Sequence, residues 1–204
     1  MPRPDTPPAR GRRRWSVDAR RQQLLQLGVA AFSAEAFDVV AIDAIATQAG
    51  ISKGLLYHYF PNKRAFFVAC VKQAAADMLA LTAPPDDLPP LEALEVGLDA
   101  FLDYVQAHRL PYRNLLRGDV NDPEVAAVID ETRAQLVARV TAGMGLRPDA
   151  VGRLALWGWV GFVEAVTVTW LGENAGEPPV SAEAIKQLIL QALAGLVPSC
   201  TDPD

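Results

Sequence analysis

The chain is 204 residues long, half of them hydrophobic, with a formal net charge of −5; this supplies a real core, excludes a wholly disordered chain and at first sight disfavours a polyanion partner. The charge is divided, however: residues 1–64 hold ten Lys/Arg against five Asp/Glu, a local +5, and residues 65–204 hold nine against nineteen, a local −10. A basic front on an acidic remainder fits a small nucleic-acid-binding head carried by a larger body with another task.

Residues 1–15, MPRPDTPPARGRRRW, are rich in proline and arginine, offer almost nothing to bury and read as a disordered basic arm. Arg10, Arg12, Arg13 and Arg14 suit either an arm along a DNA groove or a solvated tail. A first helix is predicted after Ser16, its N-cap, with Asp18 in the first turn and Leu24, Leu27, Gly28, Ala31 and Phe32 on one buried face. Phe37 follows in a connector, as a plug for the small core. A second helix spans about Ala41 to Gln48 with Ile42, Ile45 and Ala46 inward. Gly50 supplies a left-handed turn, and Ser52 caps a third helix whose Leu56 and Phe60 face the core. Pro61 and Asn62 end it. A fourth helix opens on Lys63 and Arg64, two cations where the helix dipole prefers an anion; a bound phosphate there resolves the conflict. It runs on through Phe66, Phe67, Cys70, Val71, Ala74, Met78 and Leu81.

APPDDLPP, residues 83–90, has four prolines and is a connector. Beyond it the pattern predicts a fifth helix over about Leu91–Ala107, a short sixth from Pro111, and a seventh over about Pro123–Ala142, entered through Asp122 and closed by Gly143 and Gly145. An eighth runs from Pro148 to Leu171 and a ninth, capped by Ser181, ends near Leu196. No stretch alternates with the period of a strand. The expected fold is therefore all-α with about nine helices: a helix-turn-helix head over 16–64 and a helical body over 65–204.

No apolar run reaches the roughly 18–20 residues of a membrane span; Leu154–Leu171 is interrupted by Gly158, Gly161, Glu164 and two threonines. The first residues lack the apolar core of an export signal, and Cys70 and Cys200 have neither metal nor redox spacing, so a reduced, cytoplasmic protein is expected. With His58 and His108 as its histidines, no HExxH pair, no cysteine cluster and no glycine-rich phosphate loop, the chain carries no motif for catalysis, a metal or a cofactor.

The stretch Ala44–Phe60, AIATQAGISKGLLYHYF, makes a poor core element and a good groove reader. Gly54 removes a side chain where backbone approaches DNA closely. Lys53 can reach a base edge or a phosphate, and Tyr57 and Tyr59 offer hydroxyls to phosphates and rings to thymine methyls. Tyr59 equally suits partial packing in the core, and His58 suits DNA or solvent. With its flanks, IDAIATQAGISKGLLYHYFPNKRAFF resembles the signature of the tetracycline-repressor (TetR) family of bacterial transcription regulators. Ile45-Ala46, Ala49-Gly50-Ile51-Ser52-Lys53-Gly54, Leu56-Tyr57-His58-Tyr59-Phe60 and Asn62-Lys63 match in order and spacing, within a motif region of residues 18–78.

The resemblance implies double-stranded DNA with a palindromic operator as partner, contacted by Ser52, Lys53, Gly54, Leu55, Tyr57, His58, Tyr59 and Lys63. Tyr57, Tyr59 and Lys63 mostly hold phosphates, and the start of the recognition helix reads bases. Two positions depart from the pattern. Val39-Val40-Ala41 stands where a Thr or Ser usually caps the second helix, leaving backbone amides or Asp38 for that contact. Leu55 replaces a small or hydroxyl residue, which suggests apolar contact with a thymine methyl.

The resemblance also implies a homodimer paired through the last two helices, reading two half-sites. Gly158, Gly161 and Ala165 allow close approach on the eighth helix, and Ile185, Leu188, Ile189, Ala192 and Leu193 stripe the ninth; an ordinary internal core is the alternative for these residues. Phe101, Tyr104, His108, Tyr112, Met144, Trp157, Phe162 and Trp170 either line an apolar pocket for a small-molecule effector or fill a core. Glu164 is a carboxylate in an apolar helix, suited to a cationic ligand, to Arg153 or to a partner cation. Arg113 and Arg117 suit an anionic ligand or a solvated face. The expected function is a homodimeric repressor released from its operator by a ligand, with an activator or a ligand-independent regulator as alternatives.

Overall fold

The structure, a computed structural model, describes residues 16–85, 87–116, 122–172 and 180–196. Its elements are α1 Val17–Ala34, α2 Ile42–Gln48, α3 Lys53–Tyr59, α4 Lys63–Leu81, α5 Pro90–Ala107, α6 Arg109–Leu116, α7 Pro123–Gly143, α8 Ala150–Leu171 and α9 Ala182–Leu196, with no strand among the described residues. This is the expected all-α fold with a helix-turn-helix near its front. The arginine arm, Arg117 and Cys200 lie outside the described residues.

Most helix starts follow from a side chain that satisfies an otherwise orphaned amide. Ser16 caps α1, Ser52 caps α3, Asn62 caps α4 and Asp122 caps α7. Asp149 Oδ1 accepts from Gly152 N at 2.7 Å, so α8 begins after Asp149 and Pro148 stays outside it. α6 begins two residues before the predicted Pro111. Pro111 is tolerated inside its first turn, where the missing N–H has no helical partner to lose. Gly50 has φ +68°, the left-handed turn that joins α2 to α3.

α4 passes through three cores. Phe66 and Cys70 join Leu24, Leu25, Ile45, Leu56 and Phe60 in the head. Phe67, Val68 and Val71 meet Val125 and Val128 of α7 in a junction core. Met78 and Leu79 enter the body core with Leu102, Trp159, Val163, Trp170 and Ile189. Phe37, expected to plug the head, packs instead at the junction, with its ring centroid 5.1 Å from that of Phe67. Gly28 lets α1 lie directly on α4: a Cβ there would run into the Phe66 ring and Cys70 Sγ. Burial pushes the Cys70 thiol up to about 12, which leaves it a small hydrophobe without thiolate reactivity.

α8 corrects one expectation. As a helix it is long and apolar enough to cross a membrane by length and composition. Here Trp159, Val163, Thr167 and Trp170 are buried in the body, and Trp159 Nε1 donates to Ile189 O of α9 at 3.0 Å.

Candidate nucleic-acid interface and internal cavity

α3 stands on its apolar side and offers the rest to solvent. Leu56 and Phe60 are buried, whereas Ser52, Lys53, Gly54, Leu55 and His58 are exposed. Tyr57 and Tyr59 are half-buried against the head core. A Cβ at Gly54 would meet only Ser52 Oγ, at 3.9 Å. Among the described residues nothing requires a glycine there, which fits close approach of an external backbone. Leu55 is 41 % exposed, an outward leucine as predicted. The second helix has no side-chain cap at Ala41, and among the described contacts Asp38 contributes its carbonyl to Lys63 rather than a carboxylate to α2.

The cations differ in what holds them. Lys53 Nζ lies 2.8 Å from Asp43 Oδ2, and both side chains are exposed; that hydrogen bond and the charge of Asp43 raise the lysine's pKa. Lys63 donates to Asp38 O at 3.1 Å and sits 4.9 Å from the Phe37 ring centroid. Arg64, the other cation opening α4, turns away to α7, donating to both carboxylate oxygens of Asp122 and to Glu124 Oε1. The expected phosphate conflict at the α4 start is therefore partly resolved within the chain, by the residue that caps α7.

Behind the head lies a cavity of about 250 Å³ between α1, α4, α5, α6, α7 and α8. Of the expected pocket residues, Phe101, Tyr104, His108, Tyr112, Met144 and Glu164 line it, while Trp170 is buried in the body core. Arg113, Trp157 and Phe162 are not among its lining. Arg113 Nη1 donates to Gly172 O at 2.8 Å, tying α6 to the end of α8. Trp157 is 41 % exposed on the outer side of α8, and Phe162 packs against the body core. Tyr104 donates to Ala74 O at 3.3 Å, and the His108 ring stacks on it at 4.2 Å. Burial, with the nearby Glu164 charge, pushes the Tyr112 hydroxyl well above its ordinary value.

Glu164 is neither alone nor paired with Arg153. Arg133 of α7 holds it through Nε at 2.9 Å and Nη2 at 2.7 Å, while Arg153 donates to Pro148 O. Two residues with consequences carry no motif in the sequence. Arg133 neutralises Glu164, and Arg139 lines the cavity. Arg139 was detectable in principle, because Val128, Thr132, Leu136, Arg139 and Gly143 recur at helical spacing on one face of α7, where an arginine is out of place.

The face expected to pair two chains divides in the structure. Gly158, Gly161 and Ala165 are exposed, and Val151, Leu154 and Leu188 add exposed apolar side chains at 62 %, 72 % and 43 %. Ala192 is half-buried. Ile185, Ile189 and Leu193 instead point into the chain's own body core; their spacing marked α9's inner face.

Comparison with known proteins gives these observations a family. Residues 24–70 match "Bacterial regulatory proteins, tetR family" and residues 90–195 match "Tetracyclin repressor-like, C-terminal domain". The chain is 33 % identical over 143 residues to the HTH-type transcriptional regulator RutR of Escherichia coli K12, covering 65 % of this chain and 68 % of RutR. It is 30 % identical over 131 residues to the HTH-type transcriptional activator FasR of Mycolicibacterium smegmatis, covering 60 % and 58 % of the two chains. A tetR-family transcriptional regulator from Streptomyces coelicolor superposes with a TM-score of 0.76 at 28 % identity, over 88 % of this chain and 81 % of the other. The helix-turn-helix, the helical body behind it and both family matches lead to one assignment: the chain is a DNA-binding transcriptional regulator and belongs to the TetR family.

Proposed function

We propose that two copies of this chain pair through the outer faces of α8 and α9 and repress transcription from a palindromic operator until a small molecule enters the cavity. The observation that carries the ligand-responsive part is the cavity's lining. Val29 and Ser33 belong to α1, and Val71, Ala74, Ala75 and Met78 to α4. A molecule in the cavity therefore touches the two helices on which the head is seated, and its differential affinity for two settings of those helices shifts the DNA-binding equilibrium.

The dimer reading is supported by the stripe Val151, Leu154, Gly158, Gly161 and Ala165 along α8, beside Leu188 of α9. An exposed apolar row with glycines at its centre suits a self-complementary contact. Ser52, Lys53, Gly54, Leu55, Tyr57, His58, Tyr59 and Lys63 form the DNA contact in this reading, with Tyr57, Tyr59 and Lys63 on phosphates and the start of α3 on bases. Activation is the second reading, favoured by the similarity to FasR.

Light scattering should give twice the chain mass, and Leu154→Arg should give the single mass with loss of operator binding. A gel shift with palindromic DNA from the gene's own neighbourhood should show binding at low salt. Tyr57→Ala and Lys63→Ala should weaken it across all sequences, whereas Leu55→Ala should change sequence preference. No binding to any such DNA at low salt would sink the repressor reading.

A further inference from the structure

The cavity carries an electrostatic asymmetry that distinguishes among ligand classes. Its carboxylate, Glu164, is already engaged by Arg133, which removes the attraction for a cation. Its guanidinium, Arg139, lies on the lining with no carboxylate partner among the described residues. Arg139 Nη1 donates to Thr82 Oγ1 at 3.0 Å and Nη2 to Leu79 O at 2.7 Å. Both acceptors are neutral, and they leave part of the guanidinium's donor set for another group. Thr82 is buried and itself donates to Met78 O at 2.8 Å, so the guanidinium is held in a fixed orientation by the last turn of α4. Burial, with no opposing charge, lowers the pKa of this arginine. A partly buried cation without a counter-charge is a costly arrangement that a bound anion relieves.

We infer that the cavity takes an apolar organic acid, whose carboxylate docks on Arg139 and whose hydrophobic body lies along Leu94, Phe101, Leu136 and Val163. The inference rests on the cavity being the effector site proposed above. One guanidinium without a carboxylate partner in a mostly apolar lining matches a single negative charge; a phosphate dianion would keep a charge unmatched. The site also explains how a ligand reaches the head. Arg139 is bound to the C-terminal turn of α4, and the opposite end of α4 carries Lys63. A carboxylate drawing on Arg139 competes with Leu79 O and Thr82 Oγ1, and so acts on the helix that positions the DNA contact.

The test uses the full-length chain at neutral pH and three probes that differ only at the head group: decanoate, decanol and decylamine. Calorimetry and thermal shift should rank decanoate tightest, by about tenfold or more over decanol, the scale of a charge-assisted contact. Arg139→Gln should erase that preference while retaining decanol binding, Arg139→Lys should keep part of it, and Glu164→Gln should leave the ranking unchanged. If Arg139→Gln does not fold, the ranking in the unaltered chain still decides. Decanol or decylamine binding as tightly as decanoate overturns the anion assignment and leaves the effector cavity standing. Binding by none of the three overturns both, and an unchanged decanoate preference in Arg139→Gln places the carboxylate elsewhere and overturns the role of Arg139.

Discussion

The cations of the head and Arg139 of the body are held by opposite means. On the head, Lys53 rests against Asp43 and Arg64 against Asp122 and Glu124, ion pairs at the surface that water and salt weaken. Such pairs keep a basic surface ordered, and at Lys53 a duplex, with its dense row of phosphates, can replace the carboxylate partner. In the body, the part-buried Arg139 has, among the described residues, a hydroxyl and a carbonyl as its partners and no carboxylate. A surface cation with a carboxylate partner waits for a competitor; a part-buried one held by neutral groups waits for a complement. α4 joins the two, since Lys63 opens it and Leu79 and Thr82 close it.

The strongest way to break that connection is to unseat the head. Gly28→Ala would push a methyl into the Phe66 ring and Cys70 Sγ, and Phe66 is fully buried. Overpacking costs roughly 1–3 kcal/mol, offset by up to about 1 kcal/mol of improved helix propensity. Thermal unfolding followed by circular dichroism should show a Tm lower by several degrees, with DNA affinity falling more than body ligand affinity. An unchanged Tm would mean that α1 slides over α4 freely, and the head would then not be set by α4.

What the sequence made legible follows the same division. The head could be read because turn chemistry and contact chemistry coincide there: Gly50, the Ser52 cap, Leu56 inward and Lys53 outward form one local pattern. The body could be read only as helices. Phe101, Tyr104, His108, Tyr112 and Glu164 do converge on the cavity, but Trp157 faces outward, because a large aromatic in an apolar helix gives no sign of which side of the bundle it takes. Ile185 and Ile189, expected at an interface, pack in the chain's own core for a related reason: periodicity finds a buried face without saying whether the same chain or a second copy covers it. The Glu164–Arg133 pair joins residues 31 apart in sequence, beyond the reach of any local pattern.

A smaller intervention separates the two jobs of Asp122, capping α7 and holding Arg64. Asp122→Ala removes both, at about 1 kcal/mol for the cap alone. Asp122→Asn keeps a competent cap and removes the charge. The Arg64 hydrogen bond, followed by the amides of Glu124 and Val125, holds the Asp122 carboxyl below its ordinary value. A depressed folded value contributes stability that is present above the usual carboxylate value near 4 and is lost as pH falls through the folded one. The Tm should therefore drop more steeply below about pH 4 in the unaltered chain than in Asp122→Asn. Equal slopes would show that Arg64 does not anchor the head to α7 through charge.

The smallest effect tests the surface half of the contrast directly. Asp43 lies beside the recognition helix, its carboxylate 2.8 Å from Lys53 Nζ, and on DNA it would face phosphates of its own sign. Asp43→Asn should free Lys53, remove one local negative charge and tighten operator binding by a few-fold at low salt. The gain should shrink as salt is raised, since exposed charges are screened over about 10 Å at 0.1 M. Lys53→Ala should then cost less in the unaltered chain than in Asp43→Asn, because the lysine begins from a pair in the first case and from water in the second. A titration in which Asp43→Asn weakens binding would reverse the interpretation: Asp43 would be positioning Lys53 for the groove, and the surface pair would be a preorganised part of the contact.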